Sequence, residues 1–371
     1  MHRTHDVLIG VTYYAPYVSG LTNVARDVAV GLVRRGMRVK VVTSRHDPAL
    51  PAAEVVDGVE VERTPVVARL GKGVVSPAFV PRLVAASRTA GVTNLHLPML
   101  EAGLVAARCH SPLVPTYHCD VSLPPGLVNA AQRTGIDVSS RRALGRADAV
   151  VVTSDDYARH SRLWPAMAGR TVVIPPPCHQ RPAGTPRFRD GSGLHVGFLG
   201  RIVEEKGLQY LVRGFQQFAG PDDRLLIGGD FANVAGGSVV GEIRGVVDAD
   251  PRMRLLGFLP DEDIADLYAS LDVFTLPSIN AFEAFGIVQV EAMMAGVPAL
   301  ASDLPGVRTP VQETGFGVVV ARKDAAAIAD GLRRLAADPP DRATGAARAR
   351  ERYGLETVLD ASERLFTDLA R

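Results

Sequence analysis

The sequence predicts an α/β protein of two doubly wound, Rossmann-like units, and three observations carry that expectation. At 371 residues the chain is too long for one ordinary hydrophobic core and comfortable for two. Short apolar runs of strand length alternate with helical segments, the signature of a parallel sheet covered on both faces. The alternation breaks once, at Pro175, Pro176 and Pro177, and then starts again.

In the first half, Val7 to Thr12 is an apolar run of strand length, followed by a loop with Pro16, Ser19 and Gly20. A helix is expected over Asn23 to Arg35, stopped at Gly36. Further strands are expected at Val39 to Thr43, Asn94 to Leu97, Leu113 to Tyr117, Ala149 to Thr153 and Thr171 to Ile174. The stretch up to about Gly193 is rich in Pro, Gly and Arg and reads as a linker.

The second half repeats the pattern, with a strand at Leu194 to Leu199, a helix at Leu208 to Phe218 and a strand at Arg224 to Ile227. Strands follow at Met253 to Leu256, Val273 to Leu276, Pro298 to Ala301 and Gly317 to Val320. Leu355, Val358, Leu359, Leu365 and Leu369 recur at helical spacing, so the last segment is a helix with one buried face. The expected division is 1–178, a linker at 179–193, a second domain at 194–352 and a final helix within 353–371. Ligands of such sheets bind beyond the carboxyl ends of the strands, and a cleft between two facing units is the default site.

Composition excludes several classes of function. A formal net charge of +1 gives no reason to expect a nucleic-acid partner. Only four of the 41 basic residues are lysines, at positions 40, 72, 206 and 323, so a lysine in a suggestive place is informative. Cys109, Cys119 and Cys178 form no CxxC and no metal spacing, and read as reduced thiols. No run reaches the ~18 apolar residues of a membrane helix, and the start of the chain does not read as a signal peptide. The expectation is a cytoplasmic protein.

Three features of the second half belong together. Gly200 and Arg201 follow directly on a strand, and Lys206-Gly207 stand five residues beyond Arg201, just ahead of a helix. An arginine can fork two phosphate oxygens, a lysine adds a point charge, and a helix start adds its dipole. Taken alone this is equally a solvated basic loop, and the glycine spacing is not that of a P-loop. The second feature is Glu283-Ala-Phe285-Gly286-Ile287-Val-Gln-Val-Glu291, after Pro277-Ser278. Gly286 can open a helix with free amides, Glu283 lies just ahead and Glu291 inside. Eight residues of helix span ~12 Å, about the reach from a sugar ring across a diphosphate to a ribose. Two surface glutamates on an amphipathic helix are the plain alternative. The third feature is Gly296-Val297-Pro298, a tight turn into a buried strand, with Asp303 and Pro305-Gly306 beyond it.

In this order and spacing, with Gly257-Phe258-Leu259 between them and Ala292-Met293-Met294-Ala295 leading into Gly296, these features resemble glycosyltransferase family 4. That family, the glycosyl transferases group 1, is retaining and uses the GT-B scaffold. The resemblance implies two Rossmann-like domains facing across a deep cleft, the first for the acceptor and the second for the nucleotide sugar, with the final helix crossing back to the first. It implies that Arg201 and Lys206 hold the donor diphosphate beside Gly200. Glu283 would contact hydroxyls of the transferred sugar and Glu291 those of the ribose. Phe285, Gly286 and Ile287 would lend backbone amides, and the nucleobase would lie near Gly257, Phe258 and Leu259.

In the first half, Ser19-Gly20 looks like the family's glycine loop, although two adjacent glycines are common there and this chain has Gly20-Leu21. His118 follows the strand Leu113 to Tyr117, as the family's active-site histidine does; a lone histidine at a strand end is otherwise an ordinary structural residue. Asp120 is an acceptor or cleft candidate, with helix capping as its alternative. His96 ends a strand and is expected to shape the cleft.

The function expected is transfer of a sugar from a UDP- or GDP-linked donor to a hydroxyl of a glycan, glycolipid or small molecule. No Asp-x-Asp signature stands at a suitable place, so neither a metal nor another cofactor is expected. Arg308, where the family often has an acid, and Gly228-Gly229-Asp230-Phe231, where Gly-Asp-Gly is usual, depart from the pattern. Rival readings are a nucleotide-sugar epimerase or hydrolase on the same scaffold, or a catalytically idle nucleotide-sugar-binding partner subunit. A nicotinamide oxidoreductase lacks its GxGxxG after the first strand. Acceptor loops are expected around 66–82 and 118–137. Arg69, Lys72, Arg82 and Arg88 among apolar residues from Val66 allow weak peripheral contact with the inner membrane surface. Pro77 and Pro81 argue against a regular amphipathic helix there, which makes an acceptor-site loop the plainer reading.

Overall fold

The computed structural model describes residues 3–70, 73–123, 125–230 and 239–371; Lys72 and Phe231 lie outside the described residues. The chain forms two compact units, one of Met1–Pro177 with Glu356–Arg371 and one of Cys178–Leu355.

The first unit holds an eight-stranded sheet in the order Thr171–Val173, Val150–Val152, Leu113–Tyr117, Ala90–Leu97, His5–Gly10, Val39–Ser44, Val59–Thr64, Ala53–Val56. Neighbours run parallel except at the last pair. The central strand His5–Gly10 sets Val7 opposite Val39 on one side and Val92 on the other. Such strands are covered on both faces, so their sequences read as unbroken apolar runs.

Sequence and structure differ here in instructive ways. The first helix spans Gly20–Arg34, starting earlier than expected, because Ser19 caps it by accepting the Thr22 N–H at 3.2 Å. The antiparallel pair Ala53–Val56 and Val59–Thr64 was not expected; it turns at Asp57-Gly58, with φ of 51° and 83°. Two positive φ values in a two-residue loop match the twist of the flanking strands. The 66–82 stretch is not a plain loop. It forms a hairpin, Ala68–Leu70 with Gly73–Val75, and enters a helix Phe79–Ser87. Pro81 sits in that helix's first turn, where a missing N–H costs nothing, so it does not prevent a helix. The expected 118–137 loop also ends early, at a helix Leu127–Arg146.

The final helix Leu355–Ala370 supplies Val358 and Phe366 to the core of the first unit. Leu359 packs so tightly on Gly31 that a β-carbon there would stand 2.4 Å from it. Arg35 clamps the outer face through Glu356 at 2.6 Å, Asp360 at 2.6 Å and Glu363 at 2.9 Å.

The second unit has a six-stranded parallel sheet, ordered Met253–Gly257, Arg224–Gly228, His195–Leu199, Val273–Leu276, Ala299–Ser302, Gly317–Val320. Apolar clusters cover it on two faces. The helix Leu208–Phe218 buries Leu208, Leu211, Val212 and Phe215, one stripe at i, i+3, i+4 and i+7. Truncating Phe215 to alanine removes the largest of these and costs about 3–5 kcal/mol.

Residues 179–193 do not hang free as a linker. Arg187 pairs with Asp266 at 2.9 Å, Arg189 with Asp272 at 2.9 Å, and the Phe188 N–H donates to Ser270 Oγ at 3.1 Å. The prolines and glycines that suggested a linker let this strap lie flat: Gly184 and Gly193 leave no room for a side chain against the backbone of Ala265 and Asp222.

Candidate active site

In the second unit the site begins where His195–Leu199 ends. Gly200, at φ 154°, abuts Gly229 so closely that a β-carbon on Gly229 would lie 1.7 Å from the Gly200 carbonyl oxygen. This contact explains Gly229 at the end of the neighbouring strand; a β-carbon on Gly228 would instead meet Leu259 at 2.8 Å and Leu199 at 3.3 Å. The chain then makes a short turn, Glu204–Lys206, closed by Gly207 at φ 68°. Gly207 presses on the Pro277 carbonyl, 2.2 Å from where a β-carbon would stand, and the Ile279 N–H donates to the Glu205 carbonyl at 2.9 Å. Two motifs about 70 residues apart are thereby locked side by side.

That lock sets the Lys206 ammonium in an ion pair with Glu283. Both side chains are largely buried, at 14% and 15% exposure, so the pair is an ordered contact and not a passing surface bridge. Gly286 follows at φ 85° and opens the helix Ile287–Met294, with Leu276 filling the space a side chain would need. Gln289 ties this helix start down by donating to the carbonyls of Phe285 at 2.7 Å and Val307 at 2.9 Å. Phe285 is buried edge-on against Tyr353. Arg201 is half exposed and pairs with Glu205 at 3.3 Å, so both expected phosphate cations have a carboxylate partner.

Glu291 stands apart from this cluster in its contacts. Arg181 donates to it at 3.0 Å and the Tyr268 hydroxyl lies 3.4 Å away. Burial pushes its carboxyl up from the ordinary value, and the Arg181 charge opposes that shift. Arg181, Tyr268 and Gln289 were missed from sequence. Arg181 lay in the stretch read as linker, 110 residues from its partner, and no local pattern signals such a pairing. At the edge strand, Gly257 takes φ 74° and its carbonyl accepts the Gly229 N–H at 2.7 Å. Phe258 is 72% exposed, whereas Leu259 is buried.

In the first unit, Ser19 is the helix cap, and Gly20 has open space where a side chain would be. His96 and His118 meet, Nδ1 to Nε2, at 2.9 Å with their rings stacked at 5.0 Å. Burial lowers His118 to about 4 and drives His96 well below its usual value, so both are neutral and one donates to the other. Beneath them, His96, His118, Thr153 and Phe366 line a cavity of about 30 Å³, an order of magnitude below an ordinary ligand pocket. Its Nε2 of His96 and Oγ1 of Thr153 are buried without hydrogen-bond partners. His96 thus supports His118 from the interior.

Asp120 caps no helix. It accepts from the Tyr117 hydroxyl, from Ser161 at 2.9 Å and from the Arg162 N–H at 3.4 Å, while its own N–H donates to Tyr157 at 2.8 Å. Its role in these contacts is to hold the strand end on which His118 sits. Among the described residues, no three His, Cys, Asp or Glu side chains are grouped to hold a metal ion. No described helix is long and apolar enough to cross a membrane.

Two doubly wound units, the second with a helix-start site flanked by Lys206 and Glu283, define the GT-B class of glycosyltransferase folds. A solved Anabaena HepE structure in complex with UDP superposes with a TM-score of 0.74, over 98% of this chain and 99% of that one, at 18% identity. Residues 189–352 match the model of the glycosyl transferases group 1, and residues 19–177 that of the glycosyl transferase 4-like domain. The chain is 31% identical over 288 residues to the D-inositol 3-phosphate glycosyltransferase of Xylanimonas cellulosilytica, covering 70% of this chain and 67% of that one. It is 30% identical over 258 residues to the 2-deoxystreptamine glucosyltransferase of Streptomyces kanamyceticus, covering 65% of each chain. The chain thus spans about two thirds of the length of these curated relatives. It belongs to the group 1 glycosyl transferases, glycosyltransferase family 4.

Proposed function

We propose that the chain is a retaining, metal-independent glycosyltransferase that moves a hexosyl group from a UDP- or GDP-linked donor to an acceptor hydroxyl. The observation that carries this reading is the Lys206–Glu283 pair, held beside the helix that opens at Gly286. In sugar transfer the bond between the anomeric carbon and the donor phosphate breaks as the acceptor oxygen bonds to that carbon. Negative charge grows on the departing diphosphate while the sugar becomes oxocarbenium-like. Arg201, Lys206 and the amides at Gly286 and Ile287 stabilise the departing anion, which is catalysis by prearranged donors. Glu283 holds Lys206 in place and takes hydrogen bonds from the sugar. The acceptor proton passes to a phosphate oxygen of the leaving group, so no protein base is required.

Glu291, fixed by Arg181, receives the ribose hydroxyls, and Phe258 and Leu259 border the base. Ser19 and Gly20 are assigned to the donor diphosphate, and neutral His118 to a sugar hydroxyl. Two relatives are named for 2-deoxystreptamine and D-inositol 3-phosphate, both six-membered carbocycles, which supports a polyhydroxylated ring as acceptor. The neighbour solved with UDP supports a uridine donor as the first to test. We place the reaction in the cytoplasm; liposome flotation tests whether 66–88 adds membrane contact.

The deciding experiment offers a panel of nucleotide sugars, with and without candidate acceptors, and follows nucleoside diphosphate release after treatment with EDTA. Acceptor-stimulated release that survives chelation supports the reading. Interconversion of the donor sugar without transfer points to an epimerase, and binding without turnover to an idle partner subunit.

A further inference from the structure

The loop between the first strand and the first helix carries an aromatic cluster that the donor chemistry does not use. Tyr13 and Tyr17 are stacked, ring centroids 4.5 Å apart and planes 18° off parallel. His46 stands edge-on to both, at 5.9 Å and 5.4 Å. Tyr13 follows the strand His5–Gly10 and His46 follows the adjacent parallel strand Val39–Ser44, so the cluster sits at the carboxyl ends of two neighbouring strands. That edge is where sheets of this kind bind ligands.

The cluster is tied to its surroundings yet open. The Tyr17 N–H donates to the Tyr14 carbonyl at 3.2 Å, and Arg69 reaches from the hairpin to donate to the His46 carbonyl. Tyr17 nevertheless keeps 41% of its surface exposed, with Val18 beside it at 79%. Tyr17 stands two residues before Ser19, the cap of the helix Gly20–Arg34. A stack serving only the core would be buried; Tyr17, stacked on Tyr13, still leaves two fifths of its surface to solvent. His46 Nδ1 is shielded from solvent without a hydrogen-bond partner, a polar atom in reserve within the cluster.

We propose that Tyr17, backed by Tyr13 and His46, is the platform on which the acceptor's six-membered polyhydroxylated ring stacks. This rests on the transferase reading above. A pyranose or cyclitol presents C–H bonds on one face and hydroxyls around its rim. The C–H face carries partial positive charge and suits the negative face of a tyrosine ring, while phenol and imidazole edges offer polar partners to the rim. Tyrosine gives that area at small entropic cost, having only two side-chain torsions to fix.

The test uses the full chain labelled with 13C at the tyrosine ε carbons, the Tyr17 signal being assigned by its loss in Tyr17→Leu. myo-Inositol represents a free cyclitol, methyl α-glucoside the end of a glycan, and uridine a base; each is titrated with and without UDP or GDP. A Tyr17 shift with inositol or the glucoside, tenfold weaker binding in Tyr17→Leu and retention in Tyr17→Trp establish the platform and identify its source. Binding of UDP and GDP is unchanged in Tyr17→Leu. Absence of a Tyr17 shift with either ring, or a shift with uridine alone, overturns the proposal. Failure of both nucleotides to bind the unaltered chain counts against the transferase reading and leaves the ring titration to be judged on its own.

Discussion

His96 and His118 share one hydrogen bond inside the first unit; the accepting ring must be neutral for it to form, and burial keeps the other ring neutral as well. In the unfolded chain both take up protons near pH 6.5; in the folded chain burial holds His118 at about 4 and His96 well below its usual value. The unfolded state therefore binds more protons between these limits. Stability is full above pH 6.5 and is lost as pH falls toward 4, by up to about 1.4 kcal/mol per pH unit for each histidine. Urea denaturation from pH 7.5 to 4.5 measures this slope, and His118→Gln should flatten it. A midpoint that stays constant from pH 7 to 5 in the unaltered chain contradicts neutral burial of the pair.

The Lys206–Glu283 pair predicts coupled losses. Without Lys206, Glu283 would face the donor phosphates as an uncompensated negative charge. Without Glu283, Lys206 loses its anchor. Lys206→Ala and Glu283→Ala should each lower turnover at least ~100-fold, the scale of charge-stabilising groups in active sites. Residues in direct contact do not add, so the double variant should lose less than the product of the single losses. Rates of nucleoside diphosphate release in all four proteins decide it; near-normal turnover in both single variants removes the pair from the mechanism.

Arg181 is predicted to matter for stability in a pH-dependent way. Its guanidinium offsets the burial that raises the Glu291 carboxyl. Arg181→Met leaves that carboxyl buried without its cation, so its folded pKa rises further above the unfolded value. A raised carboxyl contributes most at low pH and its contribution is lost as pH rises. The variant should therefore lose more stability at pH 8 than at pH 5, about 3 kcal/mol at the upper end. Thermal unfolding at the two pH values tests the order, and an equal loss at both shows that the contact is only packing.

How much of this was legible depends on the range of each signal. The helix Leu208–Phe218 was read with its observed ends because its apolar stripe is local. Glu283, Gly286 and Glu291 were readable for the same reason: one segment contains them all. The Lys206–Glu283 contact was not, since it joins residues 77 apart through the seating of Gly207 against Pro277. The His96–His118 contact was half readable. Two histidines at the ends of successive strands meet when those strands pair in parallel, and the register sets His96 opposite Thr116. The turn at Asp57-Gly58 carries a strong local signature of a hairpin, a two-residue Asp-Gly between alternating apolar residues. Residues 179–193 misled because proline and glycine mark both free linkers and straps pressed onto a surface.

Gly207 gives the sharpest test of how the site is assembled. Its φ of 68° belongs to the left-handed region, and a β-carbon would meet the Pro277 carbonyl oxygen at 2.2 Å and Ile279 at 2.7 Å. The first obstacle is backbone and cannot swing aside, so Gly207→Ala must move the turn that carries Lys206. Left-handed geometry alone costs an L-residue about 1–2 kcal/mol, and the collision adds to that. Gly245, inside the helix Val240–Asp248, has nothing within 4 Å of the same position, and alanine there should stabilise by about 0.4–1 kcal/mol. Denaturant unfolding of the two variants should show opposite signs, with donor turnover lost only in Gly207→Ala. If Gly207→Ala unfolds like the unaltered chain and turns over normally, Lys206 does not owe its place beside Glu283 to the seating of Gly207 on Pro277.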